Sequence, residues 1–421
     1  MTLIKTSILT AIATIVKILA GFLINKIVAM EAGASGLAMI GQLQNFITLS
    51  SGLSNGSINN GIVKYTSENI NDIEYKKKLF STALKISILI SFLCMLVLSI
   101  FNDEITLYLF DSLENKNIIS LFSITIVFYS LNILLISILN AQGEIKKYVL
   151  SNIANSIFMI VLVFFLTKTI GFKGSLYALV ISQTLVFIIT SLFVIKSSWF
   201  KKSYFKHKFD IAIANDLFKF SIMSLVSLIV SLGSTLYIRN YIGENLSWND
   251  AGYWQAIKFI SDGYLMIITM SLNIYYLPKL ASITNKLLLK KEIAYGYKIV
   301  LPISIVLAII IYVLKEYIII ILFTEEFNPV IELFKWQLFG DILKIGSWML
   351  SIILIAKAQV KYFIVGEILF SFLFVILSIF LIDIYSLVGI TYAFVINYTL
   401  YWLYMYIVYK KYLRSCNETI S

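Results

Sequence analysis

Residues 76–104 read KKKLFSTALKISILISFLCMLVLSIFNDE. Lysines crowd one end, Asp103 and Glu104 stand at the other, and between them lies the apolar run Leu79–Phe101. A helix needs roughly 20 apolar residues to cross the hydrocarbon of a bilayer, whereas a barrel strand needs about 9–11. The run is too long for such a strand, and no open sheet edge survives in lipid, so it reads as a transmembrane helix. Lysine at one end only also orients it, because cytosolic loops collect Lys and Arg.

The same pattern recurs along the chain. Apolar runs span Leu3–Ala29, Leu37–Tyr65, Leu79–Phe101, Ile118–Ala141, Val149–Thr167, Ser175–Ile195, Leu217–Tyr241, Ala251–Leu277, Ile293–Phe323, Val330–Ala356, Tyr362–Ile382 and Leu387–Tyr409. The expected fold is therefore an all-α integral membrane protein of about twelve transmembrane helices. Composition agrees: 59% of the 421 residues are hydrophobic and 14% are charged, against about 25% charged in soluble domains.

The net charge of +11 is not a nucleic-acid footprint, because the lysines sit in short clusters between apolar runs. Alternate breaks carry Lys76–Lys78; Lys146 and Lys147; Lys196, Lys201, Lys202, Lys206 and Lys208; Lys286, Lys290 and Lys291; Lys357 and Lys361; and Lys410, Lys411 and Arg414. The intervening breaks are poor in lysine and often acidic, with Asp103, Glu104, Asp111, Glu114, Glu244, Asp250, Glu325, Glu326 and Asp383. The first set reads as cytosolic, which puts both termini of this inner-membrane protein in the cytosol. No cleavable signal peptide is evident, since Lys17 interrupts the first apolar run.

The longest basic break divides the chain into an N-terminal six-helix lobe (1–196), a basic cytosolic loop (197–216), a C-terminal six-helix lobe (217–409) and a cytosolic tail (410–421). The lobes echo each other. Gly174-Ser175-Leu-Tyr-Ala-Leu-Val-Ile181 resembles Gly389-Ile390-Thr-Tyr-Ala-Phe-Val-Ile396, and Thr184-Leu185 resembles Thr399-Leu400, at an offset of about 215 residues. Ala141-Gln142 with Lys147-Tyr148 echoes Ala358-Gln359 with Lys361-Tyr362. An even number of spans per half makes these parallel repeats about a pseudo-twofold axis along the membrane normal, with a site expected between them.

Charges within the spans need a reason, because each costs about 2.5–3.5 kcal/mol at the bilayer centre on insertion scales. The first helix carries Thr10, Thr14, Lys17, Gly21 and Asn25 at helical spacing, and the second carries Gln42, Asn45, Gly52, Asn55 and Asn59. The seventh has Ser224, Ser231, Thr235 and Arg239. The eighth has Gln255, Lys258, Asp262, Thr269 and Asn273, with Lys258 and Asp262 spaced to pair. The tenth has Gln337, Asp341, Lys344 and Trp348 on one face, and Glu367 stands alone in the eleventh. Helices one, two, seven and eight open the two repeats. Their stripes predict a polar cavity with surplus positive charge from Lys17, Arg239, Lys258 and Lys344, suited to phosphate.

Plainer readings compete. Lys258 with Asp262, and Asp341 with Lys344, can be structural ion pairs. Arg239 can snorkel to an interface, and serine and glycine on these helices serve packing as readily as binding. Cys94 and Cys416 are too few and too far apart for a disulfide framework or metal site. His207, the sole histidine, lies in the basic loop, which excludes a histidine triad or histidine metal centre inside the membrane. No cofactor and no metal are expected. A membrane enzyme is disfavoured, because the outer loops are short and no nucleophile–base arrangement stands out.

Several stretches resemble the bacterial flippases for lipid-linked oligosaccharides, the O-antigen translocases, and most of all the lipid III flippase branch. They are Thr14-Ile15-Val16-Lys17; Asn60-Gly61 with Lys64-Tyr65; Ser247-Trp248 with Gly252, Trp254 and Gln255; Ser261-Asp262 with Tyr264-Leu265; Tyr276-Leu277-Pro278; Leu333-Phe334 with Trp336-Gln337-Leu338, Gly340-Asp341 and Leu343-Lys344; and Ile355-Ala356-Lys357-Ala358. The resemblance covers nearly the whole chain. It implies the two-lobed, V-shaped fold with a central cavity of the multidrug, oligosaccharidyl-lipid and polysaccharide exporter superfamily. It also implies transfer of an undecaprenyl-pyrophosphate-linked oligosaccharide repeat unit from the cytosolic to the periplasmic leaflet by alternating access, for cell-surface polysaccharide synthesis.

The substrate-binding candidates are then Lys17, Asn59, Arg239, Gln255, Lys258, Lys344 and Trp348, and the ion- or proton-coupling candidates are Asp262, Asp341 and Glu367. The expected partners are the lipid-linked oligosaccharide, membrane lipids, and the polysaccharide polymerase and chain-length regulator. The alternative is a cation-coupled multidrug antiporter of the same superfamily, which the basic cavity disfavours.

Overall fold

A computed structural model describes residues 3–415 apart from 70, 273–275, 284 and 358. Among the described residues the structure is helical and contains no strand. The helices are α1 (Leu3–Ser54), α2 (Asn59–Glu68), α3 (Ile73–Ile100), α4 (Asn102–Phe110), α5 (Lys116–Ala141), α6 (Ile145–Ile170), α7 (Phe172–Ile195), α8 (Ile211–Asn245), α9 (Trp248–Ser271), α10 (Leu277–Ser282), α11 (Lys286–Val313), α12 (Lys315–Leu322), α13 (Val330–Ala356), α14 (Val360–Tyr385) and α15 (Val388–Ser415).

At 52 residues α1 is far too long for one crossing. Gly33 breaks it at φ 62°, ψ −155°, a region in which only glycine rests without strain. Divided there, α1 joins α3, α5–α9, α11 and α13–α15 to give twelve helices of span length among the described residues. Nine stretches are long and apolar enough to cross a membrane on length and composition alone, with α1 counted once. Polar residues, Lys258 and Asp262 among them, leave α9 outside that set. The chain is a multi-pass membrane protein.

The helices outrun the apolar runs that signal them. Lys76–Lys78 lie inside the start of α3, Lys146 and Lys147 inside α6, Lys290 and Lys291 inside α11, and Lys410 and Lys411 inside α15. Backbone hydrogen bonding does not stop where hydrocarbon does, and lysine stems reach water from the interface. Two runs are interrupted. Residues 55–58 separate α1 from α2, and the run Ile293–Phe323 is two helices, α11 and α12, parted at Leu314.

The chain forms two compact units, residues 1–32 with 39–232, and residues 33–38 with 233–421. The division falls at Gly233, within α8. In the first unit, the basic segment after α7 is packed down. Trp199, Tyr204 and Phe205 gather around the buried Phe80 of α3 at ring distances of 6.0–6.1 Å. The Ser81 hydroxyl donates to the Tyr204 carbonyl (3.2 Å) and accepts from the His207 amide (2.7 Å). His207 Nε2 lies 3.2 Å from Glu74.

The internal repeat is visible in the backbone of each unit. α6 and α7 join through Gly171 at φ 66°, ψ −156°; α14 and α15 join through Ser386 at φ 52°, ψ −145°. Three residues on, Gly174 and Gly389 let the next helix press against its predecessor: a Cβ there would fall 2.1 Å from the Leu166 carbonyl oxygen and 2.0 Å from that of Leu381. The turn before α6 closes with Gln142 N–H to Ile138 O and Glu144 N–H to Leu139 O, both 2.9 Å. The turn before α14 closes with Lys357 N–H to Ile353 O (2.9 Å) and Gln359 N–H to Leu354 O (2.7 Å). Each pair is offset by 215 residues, as 144 and 359 show. This corrects one detail: Gln359 corresponds to Glu144, and Ala141-Gln142 is not the counterpart of Ala358-Gln359. Short runs of matching letters slide by a residue or two, whereas turn hydrogen bonds fix the register.

Candidate functional site: an ionic and carboxylate cluster in the second unit

The Ser247 hydroxyl fixes the start of α9, accepting from the Asp250 amide (3.0 Å) and donating to the Asp250 carboxylate (2.5 Å). From that start, Lys258 and Asp262 fall one turn apart on one face. Asp262 receives Lys258 at 2.9 Å and, from α13, Lys344 at 3.4 Å. Two ammonium groups thus share one carboxylate, with the Asp341 carboxyl one turn from Lys344. All three side chains remain partly open, at 33%, 45% and 30% exposure for Lys258, Asp262 and Lys344. The Lys344 ammonium also lies 5.9 Å from the ring centres of Phe394 and Tyr398 on α15, within reach of cation–π attraction.

Asp341 is one turn from Lys344 along α13, yet the two do not form an ion pair. Asp341 is fully buried and accepts from the Ser261 hydroxyl (2.6 Å), the Tyr264 hydroxyl (2.8 Å) and the Gln337 amide (3.2 Å). The expectation of an Asp341–Lys344 pair is thus corrected. Helical spacing alone permits it, but α9 offers each side chain a better partner across the helix interface. The two acids are not equivalent: Asp262 is held by cations and Asp341 by neutral donors. Ser261 and Tyr264 appeared in the sequence only as matched letters, although they flank Asp262 at positions that reach Asp341.

The remaining candidates fall into separate settings. Arg239 on α8 is fully buried; its guanidinium donates to the Gln255 side-chain oxygen (2.5 Å) and lies 5.6 Å from the Trp254 ring centre. It is a packed, hydrogen-bonded group in this structure, so the snorkelling reading does not hold. Trp348 is half-buried against the apolar core around Met349 and Tyr401. Glu367 on α14 accepts from the Tyr401 hydroxyl of α15 at 3.1 Å.

In the first unit, Lys17 is exposed, beside the exposed Ile15 and Leu19. Asn59 is half-buried, with its side-chain oxygen enclosed. Asn55, placed by its spacing on the polar stripe, turns into the first unit and donates to the Ser130 carbonyl (3.2 Å) and the Ser87 hydroxyl (3.5 Å). There it holds the interruption between α1 and α2. A buried amide must find partners, and a break in the helix supplies that demand as readily as a ligand does. Among the described residues, no group of three or more His, Cys, Asp or Glu could hold a metal ion.

A family model described as "Polysaccharide biosynthesis protein" matches residues 39–332, which takes in α9 and the start of the Asp341 helix. The chain belongs to this polysaccharide biosynthesis protein family. It is 28% identical over 401 residues to the lipid III flippase of Escherichia coli (strain K12), covering 95% of this chain and 96% of that one. The lipid III flippase of Shigella flexneri matches to the same extent. Among solved structures, an inward-facing multidrug resistance MATE family transporter of the MOP superfamily superposes with a TM-score of 0.81 at 13% identity, over 99% of this chain and 100% of that one. The lipid II flippase MurJ in an inward closed conformation superposes at 0.72 and 18% identity, over 97% of this chain and 87% of that one. These likenesses place this family member in the MOP transporter fold.

Proposed function

We propose that this protein is a flippase for undecaprenyl-pyrophosphate-linked oligosaccharide repeat units. It would carry the headgroup from the cytosolic to the periplasmic leaflet by alternating access between two six-helix lobes. The family membership and the near full-length match to lipid III flippases support the substrate class. The observation that carries the reading in this chain is the Lys258–Asp262–Lys344 cluster, a partly open site that brings two ammonium groups together on membrane-spanning helices. Two ammonium groups already drawn toward one carboxylate can turn toward a pyrophosphate, whose negative charge they would offset. Lys17, exposed on α1, and Asn59 are candidate substrate contacts of the first unit, and Trp348 is one of the second. Arg239 with Gln255 would support α9 from behind.

Asp341 is the proposed coupling carboxylate. Its partners are neutral, so it can exchange a proton without breaking an ion pair. Glu367, bonded to Tyr401, is a second candidate, and Asp262 serves charge balance. No bond is made or broken in such a transport step, so the protein would act as a transporter rather than an enzyme. The lysine-rich breaks support cytosolic termini in a bacterial inner membrane. The polysaccharide polymerase and chain-length regulator are candidate neighbours, since the flipped unit is what they would consume. The multidrug antiporter alternative has fold likeness in its favour, but at 13% identity, against 28% for the lipid III flippases.

Complementation tests the proposal. Expression in a flippase-null strain should restore surface polysaccharide, and Lys258→Ala with Lys344→Ala should abolish it at equal membrane abundance. Unchanged restoration by that double variant, or by Lys17→Ala, would remove the corresponding lysine from the phosphate site. Drug efflux without any polysaccharide phenotype would favour the antiporter.

A further inference from the structure

The lysine-rich ends of α11 and α15 meet in the second unit. The Lys286 ammonium of α11 donates to the Leu413 carbonyl of α15 at 2.6 Å. Next to this junction is a cavity of about 560 Å³. Its lining is layered. Lys290 and Lys410 stand at the ends of the two helices, both exposed. Tyr406 and Tyr409 come next, and Tyr297 with Trp402 lies deepest along the helices. The rings of Tyr297 and Trp402 stack at 6.0 Å and 11°. Their polar atoms are already committed: the Trp402 indole donates to the Tyr297 hydroxyl (3.1 Å), which donates to the Gly346 carbonyl (2.6 Å). The floor is therefore a fixed apolar slab under a basic mouth.

The two lysines are uncommitted. Among the described residues neither has an acidic partner within 4.0 Å; Lys410 rests 4.6 Å from the Tyr406 ring centre. The nearby carboxylate of α11, Glu292, is tied to Lys279 at 2.7 Å. Outside the mouth, α15 offers an apolar track, with Leu403 55% and Ile407 65% exposed. Cationic groups and aromatic rings at a membrane boundary, opening onto an apolar helix face, match a molecule with an anionic head and hydrocarbon chains.

We propose that this pocket binds the phosphodiester headgroup of an anionic phospholipid, drawn from the leaflet on the lysine-rich side. The two ammonium groups meet the phosphate, the tyrosines border the glycerol, and the acyl chains run down α15. The site is separate from the Lys258–Asp262–Lys344 cluster and does not depend on what the protein transports.

Native mass spectrometry of the detergent-solubilised protein with added phosphatidylglycerol or phosphatidylcholine tests this, alongside the melting temperature in each lipid. The wild type should retain phosphatidylglycerol over phosphatidylcholine and melt higher in its presence. Lys290→Gln with Lys410→Gln should lower phosphatidylglycerol affinity on the order of thirtyfold and erase the thermal shift. Lys201→Gln with Lys202→Gln, an equal charge change on exposed residues of the first unit, should leave both unchanged. Equal retention by the Lys290/Lys410 variant would overturn the proposal, as would equal loss in the Lys201/Lys202 variant. Equal stabilisation by inorganic phosphate alone would also contradict it, making the pocket a free-anion site.

Discussion

Asp262 sits between two lysines, and that arrangement makes its removal worse than its partners' removal. Asp262→Asn leaves Lys258 and Lys344 facing each other across an uncharged amide. At their partial exposure the cost is about 1–2 kcal/mol, read as a lower melting temperature in detergent. Adding Lys344→Gln should restore part of it, because one repelling charge is gone. A double variant no more stable than Asp262→Asn would show that the cluster is not governed by charge balance. Asp341 makes a different prediction. If it exchanges a proton during transport, Asp341→Asn flattens the pH dependence of flipping while the Lys258–Asp262 contact persists. A pH profile that keeps its shape in Asp341→Asn would assign coupling elsewhere. The face of each of these residues was legible from helical spacing, but the partners were not. Lys344 reaches Asp262 across to α9, and Asp341 reaches Ser261 and Tyr264, because choice of partner depends on the crossing of α9 and α13 and not on either helix alone. Arg239 shows the same limit: its spacing marked it as polar-facing, and only packing shows it enclosed with Gln255 and Trp254.

Elements were more legible than contacts. Apolar runs locate α3, α5 and α13 within a few residues, since continuous hydrocarbon demands continuous helix. The ends were less clear, because helices continue into the interface where lysine is at ease, as α11 does through Lys290 and Lys291. The aromatic packing of Trp199, Tyr204 and Phe205 on Phe80 was hidden by the basic residues around it, which made the segment look like a solvated loop. The repeat gives a test at this scale. The α6–α7 junction uses Gly171, while the α14–α15 junction holds Ser386 in nearly the same positive-φ conformation. Ser386→Gly should stabilise the protein by about 1–3 kcal/mol, the cost a side chain incurs in this region of positive φ. Gly174→Ala and Gly389→Ala should both destabilise it, by about 1–3 kcal/mol or more, because the added methyl meets a backbone carbonyl. If one of the two alanines were tolerated and the other not, the junctions would not be equivalent in solution.

For the whole molecule, the offset of 215 residues between the two turn geometries marks an internal repeat. The MOP-fold neighbours superpose over nearly the whole chain. The proposed function requires the lysine site on α9 and α13 to hold the pyrophosphate of a sugar-linked lipid during its transfer. The most direct measurement is flipping of a fluorescently labelled undecaprenyl-pyrophosphate oligosaccharide in proteoliposomes, read by access of a membrane-impermeant reagent to each leaflet. Purified wild-type protein should equilibrate the lipid between leaflets, and the Lys258→Ala, Lys344→Ala protein should lose that activity while keeping its fold by melting temperature. Flipping by the folded double variant at the wild-type rate, or no flipping by the wild type, would contradict the account.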